Sequence, residues 1–124
     1  LETIKNFNCN IKIVVINNKG YSLIKQTQET WLNSNYAGVD KESGLSLPNN
    51  CKIAGAYGIK SVVLKDNNHV KKNLKKIINI AGPILVDVMI DPKARVKPKI
   101  EFGKPLHNMS PLLPVNEISE ILKN

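Results

Sequence analysis

The sequence predicts an α/β protein in which helices flank a parallel β-sheet, so that the chain folds in three layers. Three apolar segments rich in β-branched residues are typical of buried strands: Ile11–Ile16, Ile59–Leu64 and Pro83–Ile90. The segments that join them are too long for hairpins, which favours parallel strands and right-handed crossovers. A length of 124 residues, of which 42% are hydrophobic, allows one domain with a real core.

The first predicted strand leads directly into a helix. Ile11–Ile16 is almost continuously apolar, which indicates a strand buried on both faces, and Asn17–Gly20 ends it. Apolar residues between Tyr21 and Leu32 have helical spacing. Residues 33–50 are rich in Asn, Ser, Gly and Asp, so we expect a long surface connection there.

Two further helices are predicted around the second and third strands. A short helix around Ile53–Tyr57 is expected to end at Gly58. The helix before Gly82–Pro83 has one apolar face, and its lysines form either a basic patch or, as we prefer, a solvated face. The apolar face comprises Val70, Leu74, Ile77, Ile78 and Ala81, and the lysines are Lys71, Lys72, Lys75 and Lys76.

Five of the seven prolines follow the third predicted strand. Residues 93–113 are therefore predicted to form an extended, irregular strap, and the spacing of Ile118, Ile121 and Leu122 predicts a short amphipathic helix over residues 115–123. Because the sequence lacks an initiator Met, we expect residues 1–124 to be a single partial domain of a longer chain.

The net charge of +8 suggests an anionic partner, but the composition argues against nucleic acid. Seventeen of the 18 basic residues are Lys, and only Arg95 offers the planar guanidinium that recognises phosphates and base edges well. Aromatic residues make up 5% of the chain, which leaves few platforms for stacking on bases. We therefore expect most of the charge to be solvated surface.

The sequence also argues against a His/Cys metal site and against a membrane. Cys9 and Cys51 are too few for a zinc motif, and His69 and His107 are solitary. Free thiols are typical of the reducing cytoplasm, where we expect the protein to be located. No apolar run approaches the roughly 20 residues that cross a bilayer, and no signal peptide is recognisable.

The candidate binding site is the loop Asn17–Tyr21, because ligands of parallel sheets bind beyond the carboxyl ends of strands. An Asn side-chain oxygen and a backbone carbonyl are hard donors that suit Mg²⁺, and Gly lets the backbone turn sharply. Asn-Asn also occurs at 49–50 and 67–68, but only the first pair lies between a strand and a helix. On the dipeptide alone, an ordinary turn is the better interpretation.

Longer segments resemble a known family. Ile11–Glu29, Tyr36–Asp40, Ile53–Ile59 and Gly82–Val88 closely resemble the C-terminal, diphosphate-binding domain of thiamine diphosphate-dependent enzymes of the acetolactate synthase type. The resemblance runs over nearly the whole chain. It implies that the fold is this diphosphate-binding domain, N-terminally truncated, and that the cofactors are thiamine diphosphate and Mg²⁺.

The resemblance also implies site residues. In that family the second Asn of an Asn-Asn pair and the backbone carbonyl two residues later bind the metal, which here are Asn18 and Gly20. Tyr21, Ser22 and Leu23 would line the cofactor. The metal would neutralise the two phosphates, while the carbanion chemistry belongs to the cofactor. No catalytic residue is assigned to this chain.

Other parts of the family pattern are missing or changed. The Gly-Asp-Gly motif with its metal ligand belongs upstream of Leu1, and the Glu that activates the aminopyrimidine belongs to the N-terminal pyrimidine-binding domain of a partner subunit. The resemblance therefore implies a homo-oligomeric parent enzyme and an inactive isolated fragment. Where the synthases carry a substrate-selecting Trp, this chain has Thr27, which implies a larger, more polar pocket.

The implied function is decarboxylation of a 2-oxo acid and transfer of the resulting acyl anion by a carboligase. The acceptor substrate stays open. The segment Gly103–Pro114 is similar to the ending of acetolactate synthase-like proteins associated with surface-polysaccharide genes, where it is either a lid or subunit contact or a strap packed over the sheet. The alternative function is a non-catalytic α/β binding or interaction domain with a basic surface.

Overall fold

The computed structural model describes residues 1–100 and 103–123, and the chain divides into two compact units, Leu1–Ala94 and the residues from Arg95 onward. The interpretation of residues 1–124 as a single partial domain stays a prediction. The first unit contains α1 (Glu2–Asn6), β1 (Lys12–Asn17), α2 (Ser22–Trp31), α3 (Asn50–Ala56), β2 (Lys60–Leu64), α4 (Asn67–Ile78) and β3 (Ile84–Met89).

The first unit has the predicted α/β architecture. Its three strands are all parallel, in the order β1-β3-β2, so the last strand in the sequence lies in the centre. On one face of β3, Ile84 and Val86 pack with Leu64 and with Ile77 of α4. On the other face, Leu85 packs with Ala54 and Ile59 and with residues of α1 and β1. The helices on both faces complete three layers.

The first strand differs from its prediction in two respects. β1 begins at Lys12 and ends at Asn17, which pairs with Met89, so both ends of the strand lie one residue later than predicted. The prediction that β1 is buried on both faces is wrong, since Val14 and Ile16 are 56% and 61% exposed. The reason is topological: β1 has β3 as its neighbour on one side and lies at the edge of the described sheet.

The helix before β3 is shorter and less buried than its periodicity predicts. α4 ends at Ile78, so Ala81 lies beyond it, and Leu74 is exposed although Ile77 is buried. The chain leaves the helix at Asn79 and turns at Gly82, whose φ of +78° favours glycine. The four lysines of α4 are exposed, as the interpretation of a solvated face predicts: Lys71, Lys72, Lys75 and Lys76.

The second unit contains two short strands and a helix. β4 (Lys99–Ile100) pairs with β5 (Met109–Ser110) in antiparallel fashion, so the predicted strap over residues 93–113 is less irregular than expected. Residues 101 and 102 of that strap lie outside the described residues. The predicted C-terminal helix over residues 115–123 is α5 (Val115–Ile121). Among the described helices, none has the length and apolarity to cross a membrane.

Candidate functional site

The turn between β1 and α2 lies at the carboxyl edge of the sheet and is shaped by its own asparagines. Asn17 Oδ1 accepts a hydrogen bond from the Lys19 backbone N–H at 3.0 Å, and Asn18 Oδ1 accepts one from the Gly20 N–H at 3.1 Å. Lys19 adopts a φ of +59°, which a lysine rarely takes without such support. The two predicted metal ligands, Asn18 and Gly20, therefore lie in one tight turn.

A glycine is required at position 20 because another part of the chain touches the turn. The Tyr21 backbone N–H donates to the Val39 carbonyl oxygen at 2.8 Å, and a Cβ atom at Gly20 would overlap that same oxygen. Val39 is 1% exposed, although it belongs to the long connection between α2 and α3. The connection thus fixes the backbone of the turn from one side.

Asp40 anchors this part of the connection to α2. Its carboxylate lies 2.5 Å from the Lys25 ammonium and accepts hydrogen bonds from the hydroxyl and the backbone N–H of Ser43. The Lys25 hydrogen bond, followed by those from Ser43, lowers the pKa of Asp40 from its usual 3.8 to about 2. The Lys25 ammonium also lies 4.6 Å from the centre of the Tyr36 ring. The Asp40 carboxylate is therefore ionised in the folded protein at neutral pH.

A buried carboxylate supports the turn at its first residue, Asn17. Asp87 lies on the central strand and is 7% exposed. Asn17 Nδ2 donates to its two carboxylate oxygens at 3.0 and 3.2 Å, and Asn50 Nδ2 donates to one of them at 3.2 Å. Asp87 thereby joins the end of β1 to the first residue of α3.

A cavity of about 720 Å³ opens at this edge of the sheet. Asn17, Asp87 and Met89 line it from the strands, and residues 44–49 line it from the connection. Lys19 and Lys41 add two positive charges to its wall, which favour an anionic occupant. The cavity is where the parallel topology predicts a ligand.

The other predicted cofactor-lining residues are placed next to this turn. Tyr21 and Leu23 are exposed at 50% and 57%, and the Ser22 hydroxyl donates to the Ala94 carbonyl oxygen at 2.8 Å. The structure thus brings Asn18 and Gly20 together, leaves Tyr21 and Leu23 open to contact, and engages Ser22 with the chain after β3.

The donor chemistry of the turn suits a hard cation in part. No group of three or more His, Cys, Asp or Glu side chains that could hold a metal occurs in the described part of the chain. An Asn amide oxygen and a glycine carbonyl oxygen are two oxygen donors of the kind that Mg²⁺ takes, and Mg²⁺ usually binds with few protein ligands plus phosphate and water. The turn therefore fits a Mg²⁺ ion whose remaining ligands come from elsewhere.

Sequence reasoning missed the residues that support the turn. Asp87 had a visible signal, because it is the one charged residue in the apolar run Ile84–Met89. Val39 lies in the resembling segment Tyr36–Asp40 and Asn50 in the second Asn-Asn pair, but neither signal pointed to a contact with the turn. Their roles depend on contacts between segments that are distant in the sequence.

Comparisons with known proteins show which family the chain is similar to. Residues 1–88 match the family model described as "Thiamine pyrophosphate enzyme, C-terminal TPP binding domain". The chain is 29% identical to the mitochondrial acetolactate synthase of Schizosaccharomyces pombe over 86% of its length, and 31% identical to the mitochondrial acetolactate synthase catalytic subunit of Aspergillus candidus over 94%. It is 29% identical to the acetolactate synthase large subunit of Cyanidium caldarium over 84%.

These relatives are much longer than the chain. The chain spans 15%, 16% and 17% of the lengths of the three proteins, respectively.

Proposed function

Because this chain belongs to the thiamine pyrophosphate enzyme family, as its C-terminal TPP-binding domain, we propose that the turn after β1 holds the diphosphate of thiamine diphosphate through Mg²⁺. Asn18 Oδ1 and the Gly20 carbonyl oxygen are the proposed metal ligands, and Tyr21, Ser22 and Leu23 are the proposed cofactor-lining residues. The remaining ligands belong to a part of the parent enzyme outside this chain.

The observation that carries the proposal is the construction of the turn. Asn18 and Gly20 are held together by the 3.1 Å hydrogen bond, and the close approach of Val39 leaves no room for a side chain at position 20. A small turn that carries oxygen donors at the carboxyl edge of a parallel sheet suits a cation bound to phosphates. Lys19, on the cavity wall beside it, adds a positive charge for the same anion.

We propose that the parent enzyme decarboxylates a 2-oxo acid and transfers the acyl group to an acceptor, as an acetolactate synthase-like carboligase. The names of the relatives support this activity. When bound, the thiazolium ring of the cofactor supplies the carbanion chemistry, and this chain anchors and orients it. Thr27 on α2 leaves more room than an indole would. The proposal therefore names no particular acceptor substrate.

The parent enzyme is proposed to be a homo-oligomer in which a pyrimidine-binding domain of a partner subunit completes the site. Two relatives are named as a catalytic and a large subunit, which supports assembly. The exposed apolar residues Leu23, Ile24 and Trp31 of α2 offer a surface that such a domain could cover. A dimer or larger species in light scattering of the full-length protein is the expected result.

The cytoplasmic location also stands as a proposal. Cys9 and Cys51 are both free thiols, as a reducing compartment would leave them, whereas two of the relatives are named as mitochondrial proteins. Recovery of the full-length protein in the cytosolic fraction is expected, and recovery in an organelle would contradict this location.

The test of the cofactor site uses Asn18→Ala in the full-length protein, with Asn68→Ala as the matched control. Asn68 is also the second residue of an Asn-Asn pair, but it is exposed on α4. We expect Asn18→Ala to weaken Mg²⁺-dependent binding of thiamine diphosphate by about 10–100-fold in calorimetric titrations, and Asn68→Ala to change it little.

The outcomes separate the two candidate functions. Unchanged cofactor affinity of Asn18→Ala would remove Asn18 from the site. A full-length protein that fails to bind thiamine diphosphate with Mg²⁺ would favour the non-catalytic binding domain. The isolated 124-residue chain is expected to bind the cofactor weakly and to show no turnover of pyruvate, because it lacks the other metal ligand and the partner domain.

A further inference from the structure

We propose that Asp87 is a positioning residue, which holds the turn Asn17–Gly20 in its ligand-binding conformation through the side-chain amide of Asn17. The inference rests on the proposed function for its consequence, cofactor affinity. Its structural part, the dependence of the turn on Asp87, is independent of that function and has a readout of its own.

Asp87 is well placed for this role because it is buried, acidic and central. It lies on β3, the strand with a neighbour on each side, and its side chain is on the same face of the sheet as Asn17 and α3. A carboxylate with 7% exposure is costly unless hydrogen-bond donors satisfy it. Asn17 and Asn50 supply those donors, so the carboxylate in turn fixes where both amides point.

The orientation of the Asn17 amide determines the turn. With its Nδ2 bonded to Asp87, the Asn17 Oδ1 atom is directed at the Lys19 backbone N–H, 3.0 Å away. That hydrogen bond stabilises Lys19 at a φ of +59°. Because Gly20 follows Lys19 directly, the conformation of Lys19 also determines where the Gly20 carbonyl lies. If the amide were released or turned over, an NH₂ group would face the Lys19 N–H and the turn would lose this support.

Asn50 provides an internal comparison. It donates to the same carboxylate at 3.2 Å, but it begins α3 and makes none of the described hydrogen bonds to the turn. Loss of Asn50 therefore weakens the satisfaction of Asp87 without acting on the Asn17 amide. If Asp87 mattered only for packing and burial, loss of Asn50 would also weaken ligand binding.

The experiment exchanges the two partners in the full-length protein. The variants are Asp87→Asn, Asn17→Asp, the double variant that carries both substitutions, and Asn50→Ala as the control. Asp87→Asn removes the negative charge and places an NH₂ group against the Asn17 amide at the 3.2 Å contact, while Asn17→Asp opposes two carboxylates. In the double variant an amide donates to a carboxylate in the reverse direction, and an oxygen at position 17 still accepts from Lys19.

Affinity for thiamine diphosphate at saturating Mg²⁺ is the first readout. We expect each single exchange to weaken binding by about 10–100-fold, and the double variant and Asn50→Ala to stay within about threefold of the unsubstituted protein. A double variant as weak as the single ones would overturn the proposal, and so would an equal loss in Asn50→Ala. Complete absence of binding in the unsubstituted protein would instead overturn the proposed function.

Hydrogen–deuterium exchange in the cofactor-free protein is the second readout, and it decides the positioning role without any ligand. The amides of Lys19 and Gly20 are expected to exchange about tenfold faster in Asp87→Asn than in the unsubstituted protein, and to be restored in the double variant. Unchanged exchange at both amides in Asp87→Asn would show that the turn does not depend on the Asp87 carboxylate. Amides of α4, distant in the network, report whether the fold as a whole has loosened.

Discussion

The Asn17–Asn18 and Asn49–Asn50 pairs are the same dipeptide and make similar contacts, yet they build different structures. In each pair one side chain donates to Asp87, and the other accepts from a nearby backbone N–H, that of Gly20 for Asn18 and that of Lys52 for Asn49. The second pair opens α3, where the accepted N–H belongs to the first turn of a helix. The first pair closes a strand and leaves a compact turn with the Gly20 carbonyl.

The backbone after the dipeptide decides how each pair is used. After Asn49–Asn50 the backbone continues as a helix, so the asparagine oxygen is a helix cap. After Asn17–Asn18 the backbone meets the Val39 carbonyl oxygen and cannot place a side chain at position 20. The first pair is therefore held by distant segments, and the second mainly by its own helix. Substitutions near each pair test this contrast.

The largest difference is expected for alanine substitutions of the glycine that comes after each pair. Gly20→Ala would force the turn and the Val39 backbone apart, and should lower the free energy of unfolding by about 1–3 kcal/mol. Gly55→Ala in α3 meets open space and should raise it by roughly 0.5–1 kcal/mol, because alanine favours a helix. Urea denaturation monitored by circular dichroism measures both, and equal effects would contradict the close approach of Val39.

A smaller effect is expected at the helix cap. Asn49→Ala removes the side-chain oxygen that accepts from the Lys52 backbone N–H at 2.9 Å, and should lower the opening free energy of α3 by about 1 kcal/mol. Native-state hydrogen exchange of the α3 amides measures this local stability. Asn49→Ser keeps an acceptor and serves as the control. A loss that spreads to the turn after β1 would argue against the local character of this pair.

The smallest effect is expected for the Lys25–Asp40 ion pair, which anchors the connection between α2 and α3 to α2. Folding lowers the pKa of Asp40 from 3.8 to about 2, so the Lys25–Asp40 pair adds stability above the unfolded pKa and loses it as the pH falls through the folded pKa. The difference in thermal unfolding midpoint between the unsubstituted protein and Asp40→Asn should therefore shrink between about pH 5 and about pH 2. A difference that is independent of pH would contradict the ionic role of Asp40.

Local sequence patterns were sufficient to predict the class of fold, the positions of the three sheet strands to within about one residue, and the turn that carries Asn18 and Gly20. These features are local: β-branched runs favour strands, and a strand followed by Asn, Gly and a helical pattern predicts a turn at the carboxyl edge. The family resemblance was carried by the same segments, and the family match over residues 1–88 confirmed it.

The identity of the central strand and the supports of the turn emerged only from the three-dimensional fold. Both β1 and β3 are apolar runs, but β3 alone is buried on both faces, because strand order depends on how the crossovers pack. Asp87, Asn50 and Val39 reach the turn from segments far along the chain, so no window of sequence places them together. Long-range contacts of this kind form only once the sheet has brought its carboxyl ends to one edge.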